Sequence, residues 1–383
     1  MKDPTGISPG VVIVPPETFF LISMMDGTNS IRDLQAAYMR KYAELLFSDK
    51  LEGLIQKLDA SYLLDNVRFQ DHLRRLREEF KKANVRKPAF SGGGYEENPD
   101  RLKEQLRGYF IDQEGPGLPE EKADAKAVRG IIAPHIDFAR GGVCYAYAYK
   151  TLAQRATADL YVILGTCHTP MQNPLALTKK GFETPLGIAV VDTELAQSVA
   201  EQFPYDSFED EFSHRGEHSI EFQVLFLQYV LAETEFTILP ILCRSFHETI
   251  QQGSSPMQDT AYRQSIDALK EVLFAMPTAC LVASVDLAHV GPQFGGTEKV
   301  TPGVLADVKS RDLEMLIHVQ ELDAEGFYQS IIRERDERNI CGLPPIYTFL
   351  HLIRAQKGEL LRYQQWCDPQ GTGTVTFTSM AFF

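Results

Sequence analysis

Two short apolar runs in this chain each lead directly into a histidine. Ile131-Ile132-Ala133-Pro134-His135 is one, and Tyr161-Val162-Ile163-Leu164-Gly165-Thr166-Cys167-His168 is the other. Runs this short, rich in β-branched and large apolar residues and closed by Pro, Gly or Thr, read as buried central strands of an α/β sheet. Open α/β sheets bind ligands in the crevice beyond the carboxyl ends of their strands. Two imidazoles delivered there from separate strands can converge on one ion or substrate.

The surrounding pattern supports such a sheet. From Val128 onward, candidate strands at 129–134, 160–165, 187–191, 236–242 and 279–285 alternate with candidate helices at 144–153, 193–203, 217–232, 260–276, 303–318 and 344–356. The segment 373–383 reads as a closing strand. This alternation predicts an α/β sandwich with a parallel or mixed central sheet. The length of 383 residues suggests a second domain.

Residues 1–86 read as a small, mostly helical unit. Val11–Val14 is expected to be a short strand, and Thr18–Met25 is apolar. Ser30 is placed to cap a helix carrying Ile31, Leu34, Ala37 and Tyr38. A second helix carries Leu51, Leu54, Ile55 and Leu58, and a third Leu73, Leu76 and Phe80. The Ser91-Gly92-Gly93-Gly94 stretch follows and marks a boundary, giving domains at 1–86 and 87–383. Asp100 is the expected cap of the next helix, and 112–126 is a charged surface loop.

Charge and cysteine usage narrow the function classes. The net charge is -14, and of 38 Lys/Arg and 52 Asp/Glu the first 86 residues hold 13 and 12, so the larger part is the acidic one. That argues against a nucleic-acid partner for the whole protein. The 6 cysteines are scattered without a CxxC pair, as expected of reduced thiols in a cytoplasm. No signal peptide and no bilayer-spanning apolar run is expected.

Further chemistry-bearing residues gather at predicted strand and helix ends. Cys280–Val285 runs into Asp286-Leu287-Ala288-His289, a third strand-end histidine. Cys341 precedes a helix that Pro345 can start, where aligned amides favour a thiolate. Arg140-Gly141-Gly142 reads as a loop that allows close backbone approach. In Glu217-His218-Ser219-Ile220-Glu221, the two glutamates sit four residues apart on one helical face, with His218 rotated off it. Cys144 and Cys280 read as packing, and His72, His247, His318 and His351 as structural.

The ordered series FSGGGYEENPDRLKEQLRGYF, IIAPHIDFARGG, VILGTCHTP, FETPLGIAVVD, EHSIEFQVLFLQYV, ILPILC, VASVDLAHVG and NICGLPPIYTFL resembles the Memo family, called AmmeMemoRadiSam system protein B in prokaryotes. The resemblance covers 87–383 and implies a three-layer fold with a mixed central sheet, similar to class III extradiol dioxygenases. It implies metal ligation by His135, His168 and Cys341, the cysteine standing where the dioxygenases have glutamate. His289, with Asp286 beside it to orient the ring, matches the dioxygenase acid/base position. Ile136-Asp137-Phe138, Thr169 and Leu287-Ala288-His289-Val290 depart from the family's common residues, so substrate identity does not transfer.

A thiolate in place of a carboxylate softens the site, favouring iron, copper or zinc over a hard cation. The resemblance also implies partners: the system's protein A and a radical SAM enzyme. Separately, MMDGTNSIRDL through LIQKLDASYLLDN resembles winged-helix and PqqD-like domains, which implies a peptide or protein partner for residues 1–86. Besides a redox-metal protein, two readings stay open: an oxygenase or oxidase acting on a small aromatic substrate, and a non-enzymatic peptide-binding cleft using the same histidines.

Overall fold

The structure, a computed structural model, describes every residue except 1, 2, 4, 9, 11, 121–125, 157 and 233. Its contacts divide the chain into two compact units, Met1–Lys82 and Ala83–Phe383. The first holds helices α1 (Pro16–Ser23), α2 (Ile31–Tyr42), α3 (Ser48–Ala60) and α4 (Val67–Lys82). Ser30 caps α2 in a reciprocal box with Asp33, satisfying two amides that the first helical turn leaves without partners. Leu21, Leu34 and Leu51 form the small core, with Tyr38, Leu54 and Ile55 packed on it. The strand expected at Val11–Val14 does not form at residues 12–14, and residue 11 lies outside the described residues. Of the charged loop expected at 112–126, residues 112–120 and 126 lie in no helix or strand, and 121–125 lie outside the described residues.

The second unit has strands β1 (Val85–Arg86), β2 (Gly130–Ala133), β3 (Leu160–Thr166), β4 (Leu175–Leu177), β5 (Gly181–Thr184), β6 (Gly187–Val191), β7 (Thr237–Cys243), β8 (Cys280–Ser284), β9 (Asp286–Val290), β10 (Gly358–Cys367) and β11 (Thr374–Phe382). Its helices are α5 (Pro99–Ile111), α6 (Phe138–Arg155), α7 (Thr193–Gln202), α8 (His218–Val230), α9 (His247–Gln252), α10 (Thr260–Phe274), α11 (Pro302–Gln320), α12 (Ala324–Ile332) and α13 (Leu343–Leu352). Val85 and Arg86, which the sequence places in the first domain, pair with β5 of this unit.

The strands form one mixed sheet in the order β1-β5-β6-β7-β3-β8-β2-β11-β10, with β4 on β7 and β9 on β11. Its centre, β7-β3-β8-β2, is parallel, and β11 closes it antiparallel to β2. Helices α5, α6 and α8 pack together on one layer, and α7, α10, α11, α12 and α13 on the other. This is a three-layer α/β fold. Every residue of β2, β3 and β8 is buried, which explains why these strands read as unbroken apolar runs rather than alternating ones.

Two local expectations are corrected. Arg140-Gly141-Gly142 is not a loop but lies within α6, which begins at Phe138 under an Asp137 cap. A Cβ at Gly141 would sit 2.4 Å from Ile136 Cγ2, and one at Gly142 2.5 Å from the Tyr109 ring. The glycines are there for helix packing. The cap of α5 is Asn98, whose side chain accepts from the Asp100 and Arg101 amides, rather than Asp100 itself.

Candidate metal centre

β8 lies between β3 and β2, with Ala133 and Gly165 both in register with Ser284. Neighbouring strands are about 4.8 Å apart, so the chain leaves β2 and β3 two strands apart. Their histidines lean inward across the end of β8: the His135 and His168 ring centroids are 5.0 Å apart and nearly perpendicular. From the α13 layer comes Cys341, immediately before Gly342, the N-cap of that helix. A Cβ at Gly342 would fall 2.5 Å from the Asp286 carbonyl oxygen and 2.6 Å from Val285 Cβ. Only glycine lets this turn press against the β8–β9 junction, and that approach delivers Cys341 to His135.

The ligating atoms of His135, His168 and Cys341 all lie within 4.8 Å of one another. His135 Nε2 is 3.2 Å from Cys341 Sγ, while its Nδ1 lies 3.1 Å from the Ser284 carbonyl oxygen. A carbonyl only accepts, so Nδ1 carries the proton and the Nε2 lone pair faces the thiol. Two ligands on one tetrahedral metal, with bonds of about 2.0 and 2.3 Å, stand roughly 3.5 Å apart. The observed spacing needs only a few tenths of an ångström of opening.

His168 is held from the opposite layer. Glu217 caps α8, accepting from the His218 and Ser219 amides at 2.8 and 2.9 Å. The same carboxylate accepts from the His168 amide at 2.9 Å and lies 3.1 Å from His168 Nδ1 and from His218 Nδ1. The His168 and His218 rings stack with centroids 4.8 Å apart and planes at 21°. Gly165 makes this possible, because a Cβ there would lie 2.7 Å from both Ile220 and Ser219 side chains.

Electrostatics differ sharply across the cluster. Burial, reinforced by the neighbouring His168 and His218, holds His135 well below the usual imidazole range. Burial opposes protonation of His168 too, but the Glu217 carboxylate overrides it and raises that pKa. Glu217 is buried, yet the facing imidazoles keep it well below the usual carboxylate range. The Cys341 thiol was expected to ionise easily at its helix N-terminus. Burial, and then the Asp286 charge, instead push it well above the ordinary thiol value. Without a cation, desolvation and a like charge outweigh the helix dipole.

Asp286 does not serve His289. Its Oδ1 accepts from the His135 and Ile136 amides at 3.0 and 3.1 Å, and its Oδ2 is 3.7 Å from His135 Nε2. Burial raises its pKa to about 6. His289 lies three residues along the same strand, its Nδ1 3.1 Å from the Leu287 carbonyl and its ring edge-on to Phe294. Burial lowers its pKa to about 4. Nor do Glu217 and Glu221 share a face: Glu221 is fully buried, pairing with Arg86 and Tyr95 Oη and accepting from the Ala89 and Phe90 amides.

Sequence reasoning missed His218 as a member of the cluster. Its ring lies 5.3 Å from His135, 4.8 Å from His168 and edge-on to Phe90 and Phe222. The signal was present in Gly216-Glu217-His218: a glutamate cap with the helix starting one residue later turns His218 toward the strand ends.

The profile of the Memo-like protein family matches residues 86–380. The chain belongs to that family. A MEMO1 family protein of Aquifex aeolicus is 30% identical over 386 residues, covering 100% of this chain and 95% of its own length. Those of Methanopyrus kandleri and Desulfurococcus amylolyticus are 29% and 28% identical, covering 75% and 78% of this chain. The Aquifex relative thus extends over the four-helix unit of this Memo-like chain.

Proposed function

We propose that this Memo-like chain binds one redox-active metal through His135, His168 and Cys341, and acts as a metal-binding protein or oxidoreductase. One observation carries the reading: three donor atoms from three separate chain segments lie within 4.8 Å of one another, and each histidine's other ring nitrogen is engaged by an acceptor. Two neutral imidazoles and a thiol suit copper, iron or zinc and suit magnesium or calcium poorly. A bound metal would supply Lewis acidity and, if copper or iron, one-electron chemistry.

The chain's own residues set the conditions for that chemistry. Ser284 holds His135 in one tautomer, and Asp286 fixes the backbone on which that ring is carried. The Cys341 thiol proton is released only when a cation offsets burial and the Asp286 charge. Nearby, His289 stays neutral near pH 7 and is available to accept a proton from a bound substrate. The second reading, an oxygenase or oxidase acting on a small aromatic, would use that same imidazole as its base.

Family membership supports the wider reading. The α/β unit would share the extradiol dioxygenase-like fold and work in the cytoplasm with AmmeMemoRadiSam protein A and a radical SAM enzyme. Residues 1–82, four helices with a capped α2, would act as a winged-helix or PqqD-like module that docks a peptide. Among the described residues, no helix is long and apolar enough to cross a membrane. Cobalt(II) titration tests the metal reading: a thiolate-to-metal charge-transfer band in the wild type, absent in Cys341→Ser, supports it. A titration without that band counts against it.

A further inference from the structure

A second trio of potential ligands, His168, Glu217 and His218, lies beside the first. Its hydrogen bonding argues against a second cation there. Glu217 already receives five donors: the amides of His168, His218 and Ser219, and the Nδ1 atoms of His168 and His218. A carboxylate offers about four lone-pair sites, so none remains open for a metal. The carboxylate also sits at the N-terminus of α8, where the helix dipole favours an anion and repels a cation.

From this arrangement we infer that Glu217 is a positioning residue for the metal centre. It clamps two imidazoles at once, fixing both as Nδ1–H tautomers and turning their Nε2 atoms away from α8. For His168 this directs Nε2 toward His135 and Cys341. For His218 it sets a stacked ring beside that ligand, which limits rotation of His168 about its side-chain bonds. The two sides of the centre are then built alike: a carbonyl, Ser284, fixes the tautomer of His135, and a carboxylate fixes that of His168. Because an imidazole's free nitrogen is chosen by the hydrogen bond at the other, loss of the clamp releases His168 to both tautomers. The metal-affinity part of this inference rests on the metal reading above; the tautomer part does not.

Both parts are tested on the full chain with 15N-histidine labelling and zinc competition. In metal-free wild-type protein at alkaline pH, His168 and His218 are expected as Nδ1–H tautomers in long-range nitrogen–proton spectra. Glu217→Gln, whose amide group would face the His168 and Ser219 N–H donors, should give a mixture and weaken zinc binding by about 10–100-fold. A dominant Nε2–H tautomer for His168 in the wild type overturns the inference, whether or not the variant folds. An unchanged tautomer and zinc affinity in a folded Glu217→Gln protein overturns it as well. Wild-type protein with the Nδ1–H tautomer but no zinc affinity would instead remove the metal reading and leave the clamp standing.

Discussion

Cys341 Sγ lies 3.2 Å from His135 Nε2 although 206 residues separate them in sequence. The contact joins the end of β2 to the turn before α13, and nothing local to either segment requires it. Cys341→Ser should therefore leave the fold intact while removing the soft donor. We expect zinc or copper affinity, measured by chelator competition, to fall by more than the roughly 10–100-fold typical of losing an outer hydrogen-bond partner.

Gly342 tests how that contact is built. Its φ of -75° is open to any residue, so the constraint is space alone. Gly342→Ala places a methyl 2.5 Å from the Asp286 carbonyl oxygen, which must move. Overpacking of this kind costs about 1–3 kcal/mol. Denaturant unfolding should register that loss, and metal stoichiometry should drop because the turn carrying Cys341 is pushed away from Asp286 and the His135 it holds.

The pair Arg86–Glu221 is fully buried and far along the sequence from any ligand. Glu221→Ala leaves the guanidinium buried without its anion, and the Ala89 and Phe90 amides and Tyr95 hydroxyl without an acceptor. Breaking a buried pair costs about 3–5 kcal/mol. Urea unfolding should show at least that order of destabilisation, with the 87–95 segment exchanging its amides faster.

How far the sequence reached follows from what each residue's role depends on. His135 and His168 were legible because a fully buried strand ending in Pro or Gly is a local signal. In the first unit, helices α2 to α4 were legible through their apolar spacing and the Ser30 cap, whereas α1 read only as an apolar stretch. Asp286 was misplaced for a physical reason. Residues 286–290 form a strand of their own, and positions three apart on a strand face opposite sides, so Asp286 accepts from the His135 amide while the His289 ring packs edge-on against Phe294. His218 depended on where one helix starts. Strand β10 escaped because Gly358–Cys367 is only half-buried and its Arg, Gln and Trp side chains hide any alternation.

Acid sensitivity has an identifiable source outside the centre. His214 is buried, and burial, with Arg86 adding to it, lowers its pKa to about 3 against an ordinary 6.5, while its bond to the Ala176 carbonyl opposes the shift only in part. Between those values the unfolded chain binds the proton and the folded one does not. Stability is thus complete above about pH 6.5 and is lost as pH falls toward 3. His214→Gln should flatten the slope of unfolding free energy against pH in that window, whatever it does to stability at neutral pH.

The central claim is that His135, His168 and Cys341 hold one metal. Elemental analysis of protein purified without oxygen addresses it directly, comparing wild type with the His135→Ala/Cys341→Ser double variant. The account predicts about one iron, copper or zinc per chain in the wild type and its loss in a folded double variant. Substoichiometric metal that is unchanged in the double variant would contradict it.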